Sequence, residues 1–433
     1  MTTSSKLRPP ATTAQQARKP LFAASVGTFI EFFDYASYSY LATTIAVVFF
    51  PPGNTSAALL QTFALFAISF AMRPIGALFW GHFGDKIGRK KTLALTIIGI
   101  GIATTLIGLL PGYATIGFWA PALLVILRLF QSFCTAGEYS GAAVMLSEFA
   151  PPARRARYIS AVPIGCALGF LAASVVASGL HGALDDTAMA SWGWRVPFLL
   201  AAPMTLLGIY LRTRIDETPV FLAAQEQGEI SKVPALDVFR LHWKPLLRTI
   251  AIMGINATGY YLVLGYMATY LEVQVGLTSF QASIIMTTSL IIYLPLLYCG
   301  ASLADRFGRK RVLMASALGF LTLSYPIFLL LGVSGFAGAM ALQLVLVATF
   351  SLNDSTFATY FTEAFPANVR FSGFALPFNI GVALFGGTGP LIAAWLITRT
   401  GDNAMPAFVM MAVAAIGVTA LLSARETAPN LAK

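Results

Sequence analysis

Long apolar stretches, separated by short polar segments, recur along the whole chain. A bilayer core of roughly 30 Å needs about 20 apolar residues per helical span, and twelve stretches reach that length. The runs are continuously apolar rather than alternating, which favours helices over the strands of a closed barrel. The pattern therefore predicts an all-α membrane protein with twelve transmembrane helices, at residues 21–50, 59–80, 91–111, 119–149, 157–181, 192–212, 245–272, 280–300, 311–332, 336–361, 370–398 and 404–424.

Composition supports this class of protein. Of 433 residues, 57% are hydrophobic and only 11% are charged, too few to cover one soluble core. The net charge of +10 does not indicate a nucleic-acid partner, because Lys and Arg cluster at alternate ends of the spans. This distribution predicts that both termini are cytoplasmic and leaves only Arg195 and Arg399 on the opposite side.

The N-terminal residues 1–20 are polar and basic, and we expect them to form a cytoplasmic tail. The apolar run that follows is too long, and too interrupted by acids, to be a cleaved signal. It is therefore predicted to remain as the first membrane helix. The lone His82, beside the loop after span two, is interpreted as an interfacial residue.

Sequence motifs of other protein classes are missing. The three cysteines, Cys134, Cys166 and Cys299, lie in predicted spans and offer no disulfide framework. The sequence has no zinc-binding helix motif, no nucleophile elbow and no ATP-binding glycine loop. We therefore expect no enzyme, no ATP-driven pump, no metal and no cofactor other than a coupling proton.

Two phrases occur in both halves of the chain. GHFGDKIGRKK (81–91) returns as GASLADRFGRKR (300–311), and LSEFAPPARRARY (146–158) is echoed by FTEAFPANVRF (361–371). Phrases at equivalent positions predict two homologous six-helix bundles in a parallel repeat. The predicted domains are the bundles 21–212 and 245–424, a cytoplasmic linker 213–244 and a cytoplasmic C-terminal tail 425–433.

The repeated pattern G-x-x-x-D-[KR]-x-G-R-[KR] resembles the signature loop of the major facilitator superfamily. Further phrases resemble its metabolite:proton symporter group, which includes carriers for citrate, 2-oxoglutarate, shikimate, proline and betaine. These phrases are EFFDY, RPIGALFWGHFGD, RLFQSFCTAGEYSGA, WGWRVPF, DETPVF and PANVRFSGFALPFNIGVALFGGTGP. The resemblance covers residues 20–425 and implies proton-coupled secondary transport by alternating access in the inner membrane.

The repeated loop carries candidate gating residues. Asp85 and Arg89 are four positions apart, so a helical turn would place opposite charges on one face, and the glycines Gly81 and Gly88 permit close packing. A loop that only set topology would need basic residues but no fixed acid and glycine spacing. We interpret the loop as a charged latch that favours an outward-open state, with Asp305 and Arg309 as its counterpart in the second half.

Six ionisable residues lie within predicted spans, where a charge costs about 2.5 to 3.5 kcal/mol on insertion scales. They are Glu31, Asp34, Arg73, Arg128, Glu138 and Asp354. Such groups usually line a cavity or pair with one another. Helical rise places Glu31 about 16 Å, and Arg73 about 18 Å, from the same membrane surface, so Arg73 can meet the acids of the first span.

Glu31 and Asp34 share one helical face, since they are three residues apart. Two close carboxylates disfavour simultaneous ionisation, which would make one of them a proton carrier. We predict that Asp34 couples transport to protons, with Glu31 as its neighbour and Arg73 or Arg128 tuning it or contacting substrate. The alternative is a structural Asp34–Arg73 ion pair.

Other polar residues of the spans admit more than one role. Glu138 is ten residues from Arg128, too far to pair within one helix, and either couples protons or holds helices together. Asp354 occupies the equivalent place in span ten, and its function stays open. Gln131, Asn353 and Asn379 are candidates for neutral hydrogen bonds to substrate or between helices. Interruptions at Pro163, at Pro377 and at the glycines of 386–389 are expected to bend spans five and eleven for gating.

Substrate class is indicated by aromatic and charged residues together. Tyr35, Tyr260 and Tyr261 are candidate substrate contacts, and tyrosine rings can hold a quaternary ammonium by cation–π contact. The arginines Arg73 and Arg128 suit a carboxylate instead. Four intramembrane acids outnumber these two arginines, which favours a zwitterion such as proline or betaine over a dicarboxylate or tricarboxylate. A non-transporting solute sensor is the alternative from another class. We expect the protein to be a monomer in the lipid bilayer.

Overall fold

The computed structural model describes residues 14–51, 55–228, 231–429 and 431, and within these ranges every regular element is a helix. The helices of the first half are α1 (Ala14–Tyr40), α2 (Ala42–Phe49), α3 (Thr55–Lys86), α4 (Arg89–Leu109), α5 (Tyr113–Ile116), α6 (Trp119–Phe149), α7 (Arg155–Ile159), α8 (Ala161–Ala183), α9 (Asp186–Ala188) and α10 (Arg195–Thr213).

The connecting segment contains α11 (Pro219–Glu226) and α12 (Pro234–Leu241). The helices of the second half are α13 (Trp243–Thr258), α14 (Met267–Val273), α15 (Ser279–Phe307), α16 (Arg309–Leu331), α17 (Phe336–Asp354), α18 (Phe357–Ala364), α19 (Arg370–Gly381), α20 (Thr388–Thr400) and α21 (Met405–Ser423). Short π-helical segments at Met189–Gly193, Gly259–Tyr266 and Val382–Gly386 continue the helices beside them.

Ten helical stretches of the described chain are long and apolar enough to cross a membrane. They are Arg89–Leu109, Trp119–Phe149, Pro152–Ala183, Asp186–Thr213, Trp243–Val273, Ser279–Phe307, Arg309–Leu331, Phe336–Ala364, Ala367–Thr400 and Met405–Ser423. The helices α1 and α3, of 27 and 32 residues, cover the first two predicted spans. The all-helical class is therefore confirmed, and the number of spans stays a prediction.

Several predicted spans are interrupted, some of them beside a proline and others without one. The first predicted span is two helices, because the chain turns at Leu41. Span ten is likewise divided into α17 and α18. Span five is divided at Ser160 into α7 and α8, three residues before Pro163, which has no N–H to bond the Ile159 carbonyl. The predicted interruption of this span is therefore confirmed. In span eleven the irregular segment, Val382–Gly386, follows Pro377 by one turn and ends at Gly386, within the predicted glycines of 386–389.

Packing partners place helices of the two halves against each other. Within the first half α1 packs on α8, and α4 packs on α6 and α10, while in the second half α16 packs on α17 and α21. Between the halves, α19 packs on α3 and α6, and α15 packs on α7 and α8. The linker helix α12 contacts both α3 and α19. The predicted polar connection is therefore partly helical and spans the junction.

Candidate functional site

A cavity of about 500 Å³ lies between the helices of the two halves. Its volume is in the range of sites for small organic molecules. Tyr35 of α1 and Arg73 of α3 line one side, and Tyr260 and Tyr261 of the π-helical segment line the other. These four residues were predicted to contact substrate, and the fold brings them together. Cys166 of α8 also faces this cavity.

The cavity extends toward one end of the molecule. Ser39 and Tyr40 at the C-terminal end of α1 contribute to its wall, as does Thr269 in α14. The helical stretch Trp243–Val273, which contains α14, begins beside the first repeated loop, since Leu246 belongs to the same buried cluster as Phe371. The first turns of α1 lie beside the second loop, since Ser25 Oγ donates to the carbonyl oxygen of Ala161 next to α7. Both helices run away from these loops. The cavity therefore reaches toward the end opposite those loops.

Aromatic rings from α1, α6, α8 and the π-helical segment Gly259–Tyr266 form a continuous wall of the cavity. The ring of Phe32 lies 6.5 Å from that of Tyr139, 5.8 Å from that of Phe170 and 5.9 Å from that of Tyr260, measured between centroids. Phe170 and Tyr260 are themselves 5.8 Å apart. All four residues line the cavity. Such a wall presents ring faces and edges to a solute, and ring faces attract cations.

The two acids of α1 take different arginines. Glu31 Oε1 lies 3.7 Å from Arg73 Nη2, and Asp34 Oδ2 lies 3.5 Å from Arg128 Nη1. The structural alternative of an Asp34–Arg73 pair is therefore wrong. The acids are three positions apart, so they lie about 4.5 Å apart along the helix axis. That offset lets each acid meet an arginine from a different helix, α3 or α6.

Asp34 belongs to a buried polar network with α6. Gln131 Nε2 donates to Asp34 Oδ2 at 2.5 Å and to Thr104 Oγ1 at 2.7 Å, while Gln131 Oε1 accepts from Arg128 Nη1 at 2.7 Å. Gln131 thereby orients both the acid and its arginine. Neither Gln131 nor Arg128 lines the cavity, so the structure places them behind its wall.

Two predicted substrate residues also lie away from the cavity lining. Asn379 Nδ2 donates to the carbonyl oxygens of Ala136 at 2.9 Å and Ala375 at 2.8 Å. This joins α19 of the second half to α6 of the first half. Asn353 is fully buried at the end of α17.

Glu138 is held by an arginine that the sequence analysis did not single out. Arg212, at the end of α10, forms an ion pair with Glu138, and Thr96 Oγ1 donates to Glu138 Oε2 at 2.8 Å. Arg212 is 2% exposed. Its position at the edge of span six suggested a membrane-surface residue, whereas the fold turns it inward between α1, α4 and α6.

Asp354 lines the cavity from the second half. Its Oδ2 atom accepts a hydrogen bond from the Tyr293 hydroxyl at 2.5 Å, and its Oδ1 atom accepts one from Asn256 Nδ2 at 2.8 Å. Asn256 lines the cavity beside it. Neither Tyr293 nor Asn256 was identified from sequence, because a single polar residue in an apolar span carries no pattern.

The first repeated loop forms a cluster that we call the first clasp, composed of Asp85, Arg89, Glu148 and Arg370. Asp85 accepts hydrogen bonds from the backbone N–H groups of Phe371 at 3.0 Å and Ser372 at 2.8 Å, at the start of α19. A carboxylate there complements the positive end of the helix dipole. Glu148 Oε1 lies 3.1 Å from Arg89 Nη2 and 3.0 Å from Arg370 Nη1. The predicted Asp85–Arg89 pair is present at 3.5 Å.

The second repeated loop forms an equivalent second clasp, composed of Asp305, Arg309, Glu363 and Arg155. Asp305 accepts from the N–H groups of Ala156 at 3.0 Å and Arg157 at 3.2 Å, at the start of α7. Arg309 lies 3.3 Å from Asp305 and 3.2 Å from Glu363, and Arg155 lies 3.0 Å from Glu363. Each clasp therefore joins the two halves at the end opposite the cavity mouth.

A third internal repeat supports both clasps and escaped the sequence analysis. Glu217 accepts from the N–H groups of Arg89 at 3.0 Å and Lys90 at 3.2 Å, and Thr218 Oγ1 donates to Glu148 Oε2 at 2.6 Å. In the second half Glu426 and Thr427 make the same contacts. The distances there are 2.9 Å to Arg309 N, 3.1 Å to Lys310 N and 2.7 Å to Glu363 Oε2. The dipeptide Glu-Thr after each half was the available signal.

Glycine is required in both loops. Gly88 and Gly308 adopt φ of +103°, which L side chains rarely adopt. A Cβ atom would lie 2.9 Å from Glu217 Cδ at Gly88 and 2.8 Å from Glu426 Cδ at Gly308. At Gly81 a Cβ atom would lie 3.0 Å from Ser372 Cα, so this glycine allows α3 to approach α19. The spacing of Asp85 and Arg89 had suggested one helical turn. In the structure Asp85 lies at the end of α3 and Arg89 begins α4, so the two side chains meet across the turn at Gly88.

Comparison with known proteins identifies the class. The sequence profile described as Major Facilitator Superfamily matches residues 24–376 and, in a second alignment, 249–433. The chain belongs to the major facilitator superfamily, as the repeated loop motif had indicated.

Relatives cover almost the whole chain. A protein named proline/betaine transporter from Salmonella typhimurium (strain LT2) is 34% identical over 420 residues, which are 95% of this chain and 84% of that protein. A protein named ectoine/proline transporter ProP from Corynebacterium glutamicum is 38% identical over 431 residues, or 95% and 85% of the two chains.

Solved structures share the fold. The proton:xylose symporter XylE bound to 6-bromo-6-deoxy-D-glucose aligns with a TM-score of 0.77 at 18% identity, covering 94% of this chain and 95% of that one. A partially occluded inward-open conformation of XylE from E. coli aligns with a TM-score of 0.65 at 18% identity, covering 96% and 99%. The chain is therefore a multi-pass plasma-membrane protein of a transporter family.

Proposed function

We propose that the chain is a secondary active transporter that couples protons to the uptake of a small zwitterion by alternating access. The observation that carries the proposal is the cavity between the halves, with Arg73 on one wall, Asp354 on the other and aromatic rings between them. A zwitterion such as proline or betaine needs both signs of charge. The names of the relatives support this substrate class.

The proposed topology has twelve spans with both termini in the cytoplasm. The ten apolar stretches, together with α1 and α3, supply these spans. The proposed bundles are residues 21–212 and 245–424, joined by the linker 213–244. The tails 1–20 and 425–433 complete the chain, although residues 1–13, 52–54, 229–230, 430 and 432–433 lie outside the described residues. We propose a monomer without nucleic-acid partners or resident cofactors.

Proton coupling is assigned to Asp34, with Glu31 as its neighbour. Asp34 is 2% exposed and its partners, Arg128 and Gln131, come from α6. Glu31 pairs with Arg73, which lines the cavity. Solute bound at Arg73 would compete with Glu31 for the guanidinium. Because Asp34 lies one turn of α1 from Glu31, binding of solute at Arg73 is linked to protonation of Asp34.

The two clasps are assigned to gating. They close the end of the molecule at which α1 begins, and the cavity reaches toward the other end. This arrangement corresponds to an outward-facing state under the proposed topology. The better alignment with the sugar-bound XylE structure than with its inward-open form is consistent with that state. Opening the cytoplasmic side requires both clasps to separate.

An organic-acid carrier is the second candidate within this family. Arg73 supports it, because guanidinium binds carboxylates well. However, Arg128 lies behind the wall with Asp34, which leaves little positive charge for a second carboxylate.

Uptake into proteoliposomes tests the proposal. Labelled betaine, proline, citrate, 2-oxoglutarate and shikimate are offered under an imposed pH gradient, with and without a protonophore. We expect proline or betaine to accumulate and the protonophore to abolish accumulation. Counterflow without a gradient separates a carrier from a sensor, since a sensor binds solute without exchanging it. Accumulation of citrate or 2-oxoglutarate alone would favour the second candidate.

A further inference from the structure

Asp354 differs from the other acids buried in the described helices around the cavity. Each of the others forms an ion pair with an arginine. These pairs are Glu31–Arg73, Asp34–Arg128 and Glu138–Arg212. Asp354 has only the neutral donors Tyr293 and Asn256, and no basic side chain of the described residues lies within ion-pair distance of it. Its charge is therefore left without a counter-ion from the protein.

The hydrogen bonds around Asp354 suit a carboxylate rather than a carboxylic acid. Both oxygens accept, one from the Tyr293 hydroxyl and one from Asn256 Nδ2. Donors directed at both oxygens favour the charged form. An ionised carboxylate in an apolar span is costly unless a cation meets it. Asp354 lines the cavity, so the cation can come from the solute.

The surroundings of Asp354 are aromatic. The ring of Tyr293 stacks on Phe350 at 5.7 Å between centroids, and Phe350 meets the edge of Tyr260 at 6.1 Å. Tyr139 and Tyr260 line the same cavity as Asp354. A carboxylate beside ring faces is an arrangement that attracts a weakly hydrated organic cation.

We infer that Asp354, oriented by Tyr293 and Asn256, binds the cationic nitrogen of the solute, while Arg73 on the opposite wall binds its carboxylate. This inference rests on the proposed zwitterion transport and assigns each charge of the solute to one half of the molecule. A quaternary ammonium meets Asp354 through charge alone, and a secondary ammonium also donates a hydrogen bond to it. The bound solute then links the two halves across the cavity.

A pair of isosteric ligands tests the assignment. Betaine and 3,3-dimethylbutyrate have the same shape and carboxylate, but the second has carbon in place of the charged nitrogen. Their half-inhibition concentrations are measured against counterflow of labelled proline or betaine, which needs no proton gradient. We expect the wild-type protein to prefer betaine at least about tenfold. Asp354→Asn, which keeps an acceptor for Tyr293, should reduce this preference to near unity.

Asp186→Asn is the control, since it removes an exposed carboxylate of α9 that does not line the cavity. It should leave the ligand preference at the wild-type ratio. Tyr293→Phe removes one orienting donor and should give an intermediate preference, which provides a second variant if Asp354→Asn does not fold. A wild-type protein that binds both ligands equally overturns the inference.

Two further outcomes are decisive. If Asp354→Asn retains the wild-type preference but loses accumulation driven by a pH gradient, Asp354 carries a proton and the inference is wrong. If neither betaine nor proline inhibits exchange while citrate or 2-oxoglutarate does, the proposed function fails instead. The ligand ratio thus separates the failure of the inference from the failure of the function.

Discussion

At the scale of single residues, two acids that are similar in sequence have different positions relative to the cavity. Glu31 and Asp34 share a helix and a face, yet Glu31 meets the cavity-lining Arg73 and Asp34 meets Arg128 behind the wall. The spacing of the acids predicted their common face. It could not predict the choice of arginine, because that depends on the relative depth of α1, α3 and α6.

Asp34→Asn should abolish accumulation driven by a pH gradient while preserving some counterflow. Asparagine keeps an oxygen that can accept from Gln131 but cannot exchange a proton. Labelled-solute uptake with and without the gradient measures the two activities. Asp186→Asn, at an exposed acid of α9, is the control and should behave like wild type. Retained accumulation in Asp34→Asn would reduce Asp34 to a structural partner.

Arg73→Gln should raise the KM for solute by about tenfold to a hundredfold, the range expected for losing one charged hydrogen-bonding group. It also leaves Glu31 without its ion pair, which destabilises the protein. The double variant Glu31→Gln/Arg73→Gln removes both charges and should recover thermal stability without recovering affinity. Recovery of the wild-type KM in the double variant would show that Arg73 acts only as the partner of Glu31.

At the scale of elements, apolar patterning predicts helices well and their interruptions poorly. The limits of α6, Trp119–Phe149, coincide with the predicted span. The turn at Leu41 and the π-helical segment Gly259–Tyr266 were missed, since neither contains proline and both lie in continuously apolar runs. Packing against neighbouring helices decides such local geometry, and this information is not present in the periodicity of one span.

The glycine turn of the second clasp permits a prediction with an internal control. Gly308 has φ of +103° and a Cβ atom there would collide with Glu426, whereas Gly276 has φ of +77° and nothing within 4 Å. Gly276→Ala should cost about 1 kcal/mol of stability through the backbone alone. Gly308→Ala should cost more than this and also displace Glu426. Thermal unfolding of the two variants measures the difference, and equal losses would refute a contribution from the Glu426 contact.

At the scale of the whole molecule, duplication gives each half a loop whose acid caps a helix of the other half. Asp85 of the first half caps α19 of the second, and Asp305 of the second half caps α7 of the first. The repeated phrases predicted both loops as latches. The residues that the loops contact could be identified only from the folded structure. Those partners, Glu148 and Glu363 among them, lie in the weaker echo that the sequence analysis used only as evidence of duplication.

Hydrogen–deuterium exchange can show whether the clasps open together. Asp85→Asn weakens the acceptor for the Phe371 and Ser372 amides, so their exchange should accelerate by about tenfold or more. If both clasps separate in one transition, the Ala156 amide at the second clasp should accelerate as well. Faster exchange confined to α19 would contradict concerted opening. Asp186→Asn serves again as the control without a clasp contact.

Alkylation of a cysteine thiol can measure how long the cavity faces outward. Cys134 and Cys166 are both buried, but Cys166 lies in the wall of the cavity and Cys134 does not, while Cys299 is exposed on α15 and lies six residues before Asp305 of the second clasp. A charged, membrane-impermeant maleimide travels only in water, so Cys166 is the thiol it can reach from outside, and only while the cavity is open to that side. The rate of Cys166 alkylation is therefore proportional to the fraction of molecules that face outward. Solute bound in the cavity should lower this rate.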